Sequence, residues 1–108
     1  MNTILKILGQ VTSATTETTL YTVPYNTSTV ISTITICNRG TTQATFRVSV
    51  SVGGGTTTTK DYIYYDIIIG GNDTFAATLG ITLAETDKIK VLSSNNNVSF
   101  NLFGQENI

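Results

Sequence analysis

One short stretch of the sequence concentrates side chains that could bind a ligand. Residues 60–69, KDYIYYDIII, hold three of the five tyrosines together with Asp61 and Asp66. Tyrosine rings on a flat sheet can stack on sugar rings, and aspartates accept hydrogen bonds from sugar hydroxyls. The same residues also suit packing within a sheet, or an interface with another protein, where tyrosine is enriched. All three interpretations follow from the segment alone.

The residue types that acid–base catalysis needs are scarce. The chain has no histidine, which excludes Ser–His–Asp and Cys–His arrangements. Two carboxylates could hydrolyse a glycoside. However, Asp61 and Asp66 have opposite parity and lie roughly 16 Å apart on one extended strand, at about 3.3 Å per residue. We therefore expect no enzymatic activity and no catalytic residue.

Sites for metals, cofactors and reactive thiols are also poorly supported. No Asp-x-Asp-x-Asp spacing for calcium occurs, and Asn72-Asp73 is better explained as a turn. The run at residues 53–55, GGG, lacks the Lys-Ser/Thr continuation of a phosphate loop and predicts a flexible hairpin loop. Cys37 is the single cysteine, so we expect a buried or half-buried thiol and no intrachain disulfide. The sequence predicts neither a metal nor a cofactor.

Composition narrows the range of partners. Only 12% of the 108 residues are charged, the net charge is −1, and the six basic residues are scattered along the chain. Nucleic acid binding needs a basic stripe to neutralise phosphates, so we expect no nucleic acid partner. No apolar run approaches the roughly 20 residues of a membrane span, and no secretory signal is recognisable at the N-terminus. The protein is therefore expected to be made in the cytoplasm and to have no membrane partner.

Alternation of apolar and polar residues predicts strands along most of the chain. In residues 46–52, FRVSVSV, the even positions are apolar and the odd positions polar. The pattern recurs at residues 29–37, 88–91 and 98–102, with a further strand at 18–23 ending before Pro24. Turn-forming Asn, Gly and Ser clusters separate these segments. The sequence therefore predicts an all-β fold, a single antiparallel β-sandwich of about seven or eight strands, either jelly-roll or Ig-like.

Residues 1–108 are expected to form a single β-sandwich domain. Two segments of this domain allow more than one interpretation. Residues 1–15 are either an extended N-terminal arm or an edge strand. In residues 73–83, Phe75, Ala77 and Leu79 alternate as in a strand, although Asp73 could cap a short helix. We favour the strand.

The tyrosine-rich segment can be divided into two faces by the same alternation. The odd positions from Ile63 to Ile69 form the more apolar face and are expected to face the core. The even positions are still unusually apolar for a solvent-exposed face, so we expect another strand or another subunit to cover them. The candidate interface or ligand face consists of Tyr62, Tyr64, Asp66 and Ile68.

Eight short segments follow one another in a characteristic order along nearly the whole chain. The segments are LGQ (8–10), TLYTVP (19–24), ITICNRG (34–40), TFRV (45–48), YYD (64–66), NDT (72–74), GITL (80–83) and SFNLFG (99–104). Each segment alone is weak, but the ordered set resembles a family of small virion structural proteins of tailed bacteriophages and prophages.

This resemblance implies a role in the phage particle. It implies a non-enzymatic virion protein that decorates or joins capsid, neck or tail components, with other virion proteins as partners. Because the surface is weakly charged and one strand has an apolar second face, we also expect a homo-oligomer. The alternative is a receptor- or glycan-binding module of a phage fibre or baseplate, which would bind a host-surface glycan through the clustered tyrosines.

Overall fold

Eight β-strands make up most of residues 2–108, the part of the chain that this computed structural model describes. Short 3₁₀ turns at Val52–Gly54 and Thr59–Asp61 connect the fourth strand to the fifth. Within residues 2–108 there is no helix of the length and hydropathy that a membrane crossing requires. The strands are β1 (Thr3–Val11), β2 (Thr18–Thr22), β3 (Ser28–Asn38), β4 (Ala44–Ser51), β5 (Tyr62–Ile69), β6 (Asp73–Leu83), β7 (Lys88–Ser93) and β8 (Val98–Asn107).

The strands form two four-stranded antiparallel sheets packed face to face. The first sheet has the order β1-β8-β3-β6 and the second the order β2-β7-β4-β5. The chain therefore passes from one sheet to the other at every connection except the one from β4 to β5. This order is that of a jelly roll. The predicted antiparallel β-sandwich of seven or eight strands is confirmed, and of the two predicted subtypes the jelly roll is observed.

The core lies where the predicted alternation places it. On the central strand β8, Val98, Phe100 and Leu102 are completely buried. Phe100 and Leu102 lie beside Ile36 and Ile34 of the neighbouring strand β3. Segment 73–83, for which the sequence favoured a strand over a short helix, is strand β6. It packs its alternate residues Phe75, Ala77 and Leu79 against the core.

One apolar position of the predicted β4 strand lies outside it. Phe46 and Val48 are buried as predicted, but Val52 begins the 3₁₀ turn and is 78% exposed. The outward-facing Ser49 and Ser51 are in contrast only 2% and 1% exposed. They are covered because the β4–β5 connection folds back over them, with a Thr57 hydroxyl close to that of Ser51 at 3.4 Å.

The two-face division of β5 is wrong in part. Pairing with β4 shifts register twice, so that β5 has one extra residue at Ile63 and another at the Tyr65–Asp66 step. Asp66 has a φ of 52°, the left-handed conformation found in β-bulges. Each bulge changes which side chains face the core. As a result Tyr65, expected in the core, is 54% exposed, whereas Tyr64 is turned towards the core.

Candidate interaction surfaces

The bulge in β5 brings an acid opposite a base on the outer face of the second sheet. Arg47 of β4 lies across from the bulged residues Tyr65 and Asp66. Its Nε donates to Oδ1 of Asp66 at 2.7 Å and its Nη2 to Oδ2 at 3.1 Å. This is the bidentate geometry that a planar guanidinium and a carboxylate favour, and it fixes the orientation of the arginine.

Two tyrosines pack around this ion pair. The guanidinium carbon of Arg47 is 4.1 Å from the ring centroid of Tyr65 and 5.9 Å from that of Tyr62. The two rings meet edge to face, with centroids 4.8 Å apart. We call Arg47, Tyr62, Tyr65 and Asp66 the tyrosine–arginine cluster. Stacking and pairing together give this exposed group a defined shape before any ligand arrives.

The charge states within the cluster are fixed by the ion pair. Hydrogen bonds from Arg47 are the main cause that holds the pKa of the Asp66 carboxyl below its ordinary value. The same bonds raise the pKa of Arg47. Both oxygens of Asp66 already accept hydrogen bonds from Arg47, so the pair is suited to orienting a ligand and poorly suited to proton transfer at neutral pH.

An open groove runs beside the cluster. Thr57, Thr58 and Thr59 form one wall and the rings of Tyr62 and Tyr65 the other, around a volume of about 610 Å³. The threonine wall is held in place because the Thr58 backbone N–H donates to the Asp61 carboxylate at 2.9 Å, which also lowers the pKa of Asp61. Hydroxyl groups thus face aromatic rings across the groove.

Three of the four residues of the predicted interface or ligand face lie on one surface. Tyr62 belongs to the cluster, Asp66 supplies its acid, and Ile68 lies nearby on the same face with 63% of its surface exposed. Tyr64 does not belong to this face. Its ring lies 6.0 Å from that of Phe46 and 5.2 Å from that of Phe75, measured between centroids, so it packs on the core.

Sequence reasoning missed Arg47 and Tyr65 as members of this surface. The alternation in β4 already placed Arg47 on an outer face, but it did not indicate its partner in β5. The signal for Tyr65 was weaker, because only a bulge reverses its direction. An Asp at the bulge is consistent with the preference of Asp and Asn for positive φ, yet many turn residues share that preference.

The outer face of the first sheet has a different chemistry. Strand registers and the burial of the alternate positions place threonines, other neutral polar residues and a few apolar residues on it. Within the described strands, no residue in its three central rows is charged. Those rows are Leu5, Gln105, Val30 and Thr82; Ile7, Phe103, Thr33 and Thr78; and Gln10, Asn101, Thr35 and Ala76.

Charged residues are instead concentrated on the second sheet and its covering loop. Arg47 and Asp66 form the cluster, and Lys90 lies opposite Ser49 beneath the β4–β5 connection. The Lys90 amino group donates to the carbonyl of Gly55 at 2.9 Å and lies 3.8 Å from the Glu17 carboxylate. The two outer faces of the sandwich therefore differ: one is uncharged and open, and the other is charged and partly covered.

A third surface is the β1 edge of the first sheet. Ile4, Leu5 and Ile7 of the edge strand β1 are 44%, 78% and 52% exposed. Ile4 lies opposite the buried Glu106, on the inner side of the strand, while Leu5 and Ile7 belong to the uncharged face. At this edge the uncharged face is also the most apolar.

A buried polar network supports this edge from inside the sandwich. The hydroxyl of Tyr21 on β2 donates to Oε2 of Glu106 at 2.6 Å and lies 2.7 Å from the Thr29 hydroxyl. Lys6 of β1 donates to the other oxygen of Glu106 at 3.2 Å. The bond from Tyr21 is the main cause that lowers the pKa of Glu106, while burial raises the pKa of Tyr21. The network connects four strands from both sheets.

Groups that could support metal or thiol chemistry are few in the described chain. Residues 2–108 contain no group of three or more His, Cys, Asp or Glu side chains placed to hold a metal ion. Cys37 is half-buried, as expected, and lies on the first sheet opposite Ser99 and Thr74.

Comparison with known sequences identifies no relative: no protein-family model and no curated protein matches this chain. The interaction surfaces are therefore interpreted from their own geometry.

Proposed function

We propose that this protein is a non-enzymatic structural protein of a tailed-phage virion, which decorates or joins capsid, neck or tail components. The observation that carries the proposal is the uncharged outer face of the first sheet, from Leu5 and Ile7 on β1 to Thr78 and Thr82 on β6. The phage context itself rests on the ordered resemblance of short segments. Jelly rolls occur in viral capsid proteins and also in lectins, so the fold agrees with a structural role and with glycan binding alike.

Docking through the uncharged face has a simple physical advantage. Covering a charged group with another protein costs desolvation energy unless it is paired well, and this face carries no such group within its central rows. Four strands about 4.8 Å apart and roughly 30 Å long present on the order of 600 Å² of projected area. That approaches the roughly 800 Å² per partner of a standard interface.

One added charge tests this docking. Thr35 is half-buried at the centre of the face, on the inner strand β3. We expect Thr35→Glu to leave the isolated domain folded and to reduce its incorporation into particles at least tenfold, measured by mass spectrometry of gradient-purified phage. The matched control is Thr19→Glu, an exposed position opposite Lys90 on the other sheet. Equal incorporation of both variants would contradict docking through this face.

The groove beside the tyrosine–arginine cluster favours a second candidate, a glycan-binding module of a fibre or baseplate. Tyr62 and Tyr65 offer aromatic surface and Thr57–Thr59 offer hydroxyls across about 610 Å³. This combination of rings and hydrogen-bonding groups suits a sugar. The carboxylate of Asp66 is already bound by Arg47, so sugar hydroxyls would be recognised mainly by the threonines and the guanidinium.

A glycan array separates the two functions. If the groove binds sugars, Tyr62→Ala abolishes the signal, while Tyr25→Ala, which removes a 76% exposed tyrosine elsewhere, leaves it intact. An array without any signal, together with no binding to whole host cells, would refute glycan binding and leave the structural role standing.

A further inference from the structure

The edge of β1 carries unpaired backbone groups in a regular pattern. The N–H and C=O of Asn2 both bond to Ile108, at 3.0 and 2.8 Å. In an antiparallel ladder such hydrogen-bonded pairs, which exchange two backbone hydrogen bonds, recur at every second residue. Ile4 and Lys6 therefore also direct their backbone groups at β8. The N–H and C=O of Thr3, Leu5 and Ile7 therefore point away from β8, where residues 2–108 supply no further strand.

Few of the features that normally prevent edge pairing are present in this segment. Natural edges are protected by proline, by bulges or by charged side chains, including charges that point inward. The first register shift in β1 comes only after Ile7, and residues 3–7 contain no proline. The one charge, Lys6, points inward, but Glu106 pairs with it at 3.2 Å and neutralises it there. The apolar side chains of Leu5 and Ile7 lie directly beside the free backbone groups.

We propose that the β1 edge pairs with the β1 edge of a second copy of this chain. The pairing is antiparallel about a two-fold axis at Leu5, so that Leu5 lies opposite Leu5 of the second copy and Thr3 lies opposite Ile7 of the second copy. All three residues with free backbone groups then form hydrogen-bonded pairs with the second copy. The two first sheets join into one continuous eight-stranded sheet. This surface goes beyond the proposed docking face and does not depend on the phage role.

Charge favours this register over the neighbouring register centred on Lys6. A two-fold axis at Lys6 would place the two Lys6 residues in a non-hydrogen-bonded pair, where Cα atoms are only about 4.5 Å apart and like charges are destabilising. With the axis at Leu5, Lys6 lies opposite the apolar Ile4 of the second copy and keeps its own Glu106. A second copy fits because the edge is complementary to itself in hydrogen bonding and this register brings no like charges together.

The size of the contact predicts the strength of the dimer. Five residues span about 17 Å of edge, which is far less than a standard interface offers. The dimer should therefore form when copies are concentrated, as on a particle, and be sparse in dilute solution. A covalent trap at the paired residues detects such a dimer directly.

Cysteine pairs test the contact and its register together. In a Cys37→Ser background, Leu5→Cys should give a disulfide-linked dimer of twice 11.6 kDa under mild oxidation. Hydrogen-bonded pairs in an antiparallel sheet have Cα atoms about 5.5 Å apart, within the range that disulfides accept. Thr3→Cys and Ile7→Cys should each crosslink at least tenfold more slowly alone, and rapidly when mixed. Faster crosslinking by Lys6→Cys than by Leu5→Cys would overturn the register.

A second pair of variants separates pairing from folding. Proline at position 5 removes only an N–H that points away from β8, so β1 can stay paired within its own domain. Leu5→Pro should abolish crosslinking between the Thr3→Cys and Ile7→Cys proteins, whereas Leu5→Val should preserve it, with circular dichroism confirming that both stay folded. Equal crosslinking in both backgrounds overturns the proposal. So does exclusive capture of another virion protein by Leu5→Cys on intact particles, a result that would leave the virion role standing.

Discussion

Removing the Tyr21 hydroxyl should destabilise the domain far more than removing an exposed one. In Tyr21→Phe, Oε2 of the buried Glu106 loses a donor at 2.6 Å and Thr29 loses its partner at 2.7 Å. Glu106 is only 5% exposed, so water replaces the lost bond poorly. A hydrogen bond to a charged group contributes about 1.5–3 kcal/mol, and an unpaired buried acceptor adds to the loss. We expect a decrease of about 2–3 kcal/mol in the free energy of unfolding, equivalent to roughly 8–12 °C in Tm for a domain of this size.

Urea denaturation of three proteins provides the assay. The control, Tyr25→Phe, removes a hydroxyl from a residue that is 76% exposed and should change stability by less than about 0.5 kcal/mol. If the free energies of unfolding of Tyr21→Phe and Tyr25→Phe agree within that margin at pH 7, the assigned role of the Tyr21 hydroxyl is refuted.

The same comparison has a defined pH dependence. The folded state lowers the pKa of Glu106, chiefly through Tyr21. The stability that ionised Glu106 contributes is therefore complete above its pKa in the unfolded chain, about 4.3. It is lost as the pH falls through the lower pKa of Glu106 in the folded protein. The deficit of Tyr21→Phe should thus be largest near neutrality and shrink below about pH 4. A deficit that is constant from pH 7 to pH 3 would contradict the assigned role of the carboxylate.

Two further pairs of substitutions test local geometry. A Cβ at Gly9 would overlap the carbonyl oxygen of Leu20, so Gly9→Ala should cost about 1–3 kcal/mol in urea denaturation. Gly55→Ala should be nearly neutral, because its Cβ would make only an ordinary contact, 3.7 Å from the Val52 carbonyl oxygen. Asp66 has a φ of 52°, a conformation that β-branched residues adopt poorly, so Asp66→Val should lower Tm more than Asp66→Asn. Because both variants lose the carboxylate that pairs with Arg47, a Tm order reversed from this one would contradict the role assigned to the backbone conformation.

The alternation of residue types was enough to predict the sandwich and much of its core. Val98, Phe100 and Leu102 lie on a central strand with one buried face, where a period of two translates directly into burial. Pro24 follows the end of β2 at Thr22, as a residue without a backbone donor should. These features are local, and local rules describe them well.

The surfaces depended on contacts that local rules do not describe. The bulge at the Tyr65–Asp66 step reversed the faces of Tyr64 and Tyr65, and a bulge is set by pairing with β4 as much as by the strand itself. Ser49 and Ser51 look exposed in the pattern but are buried because the β4–β5 connection that follows them folds back over the strand. The buried bond between Tyr21 and Glu106 joins residues 85 positions apart, and neither position has a local signal for it.

Immunogold labelling of purified phage particles tests the central claim most directly. An antibody to the recombinant domain would be applied to intact and gently disrupted particles. The proposed role predicts label on the particle: on the head for a capsid decoration protein, or at the neck, tail or baseplate for a component of the tail. Unlabelled particles, with the protein found free in the lysate, would contradict the structural role.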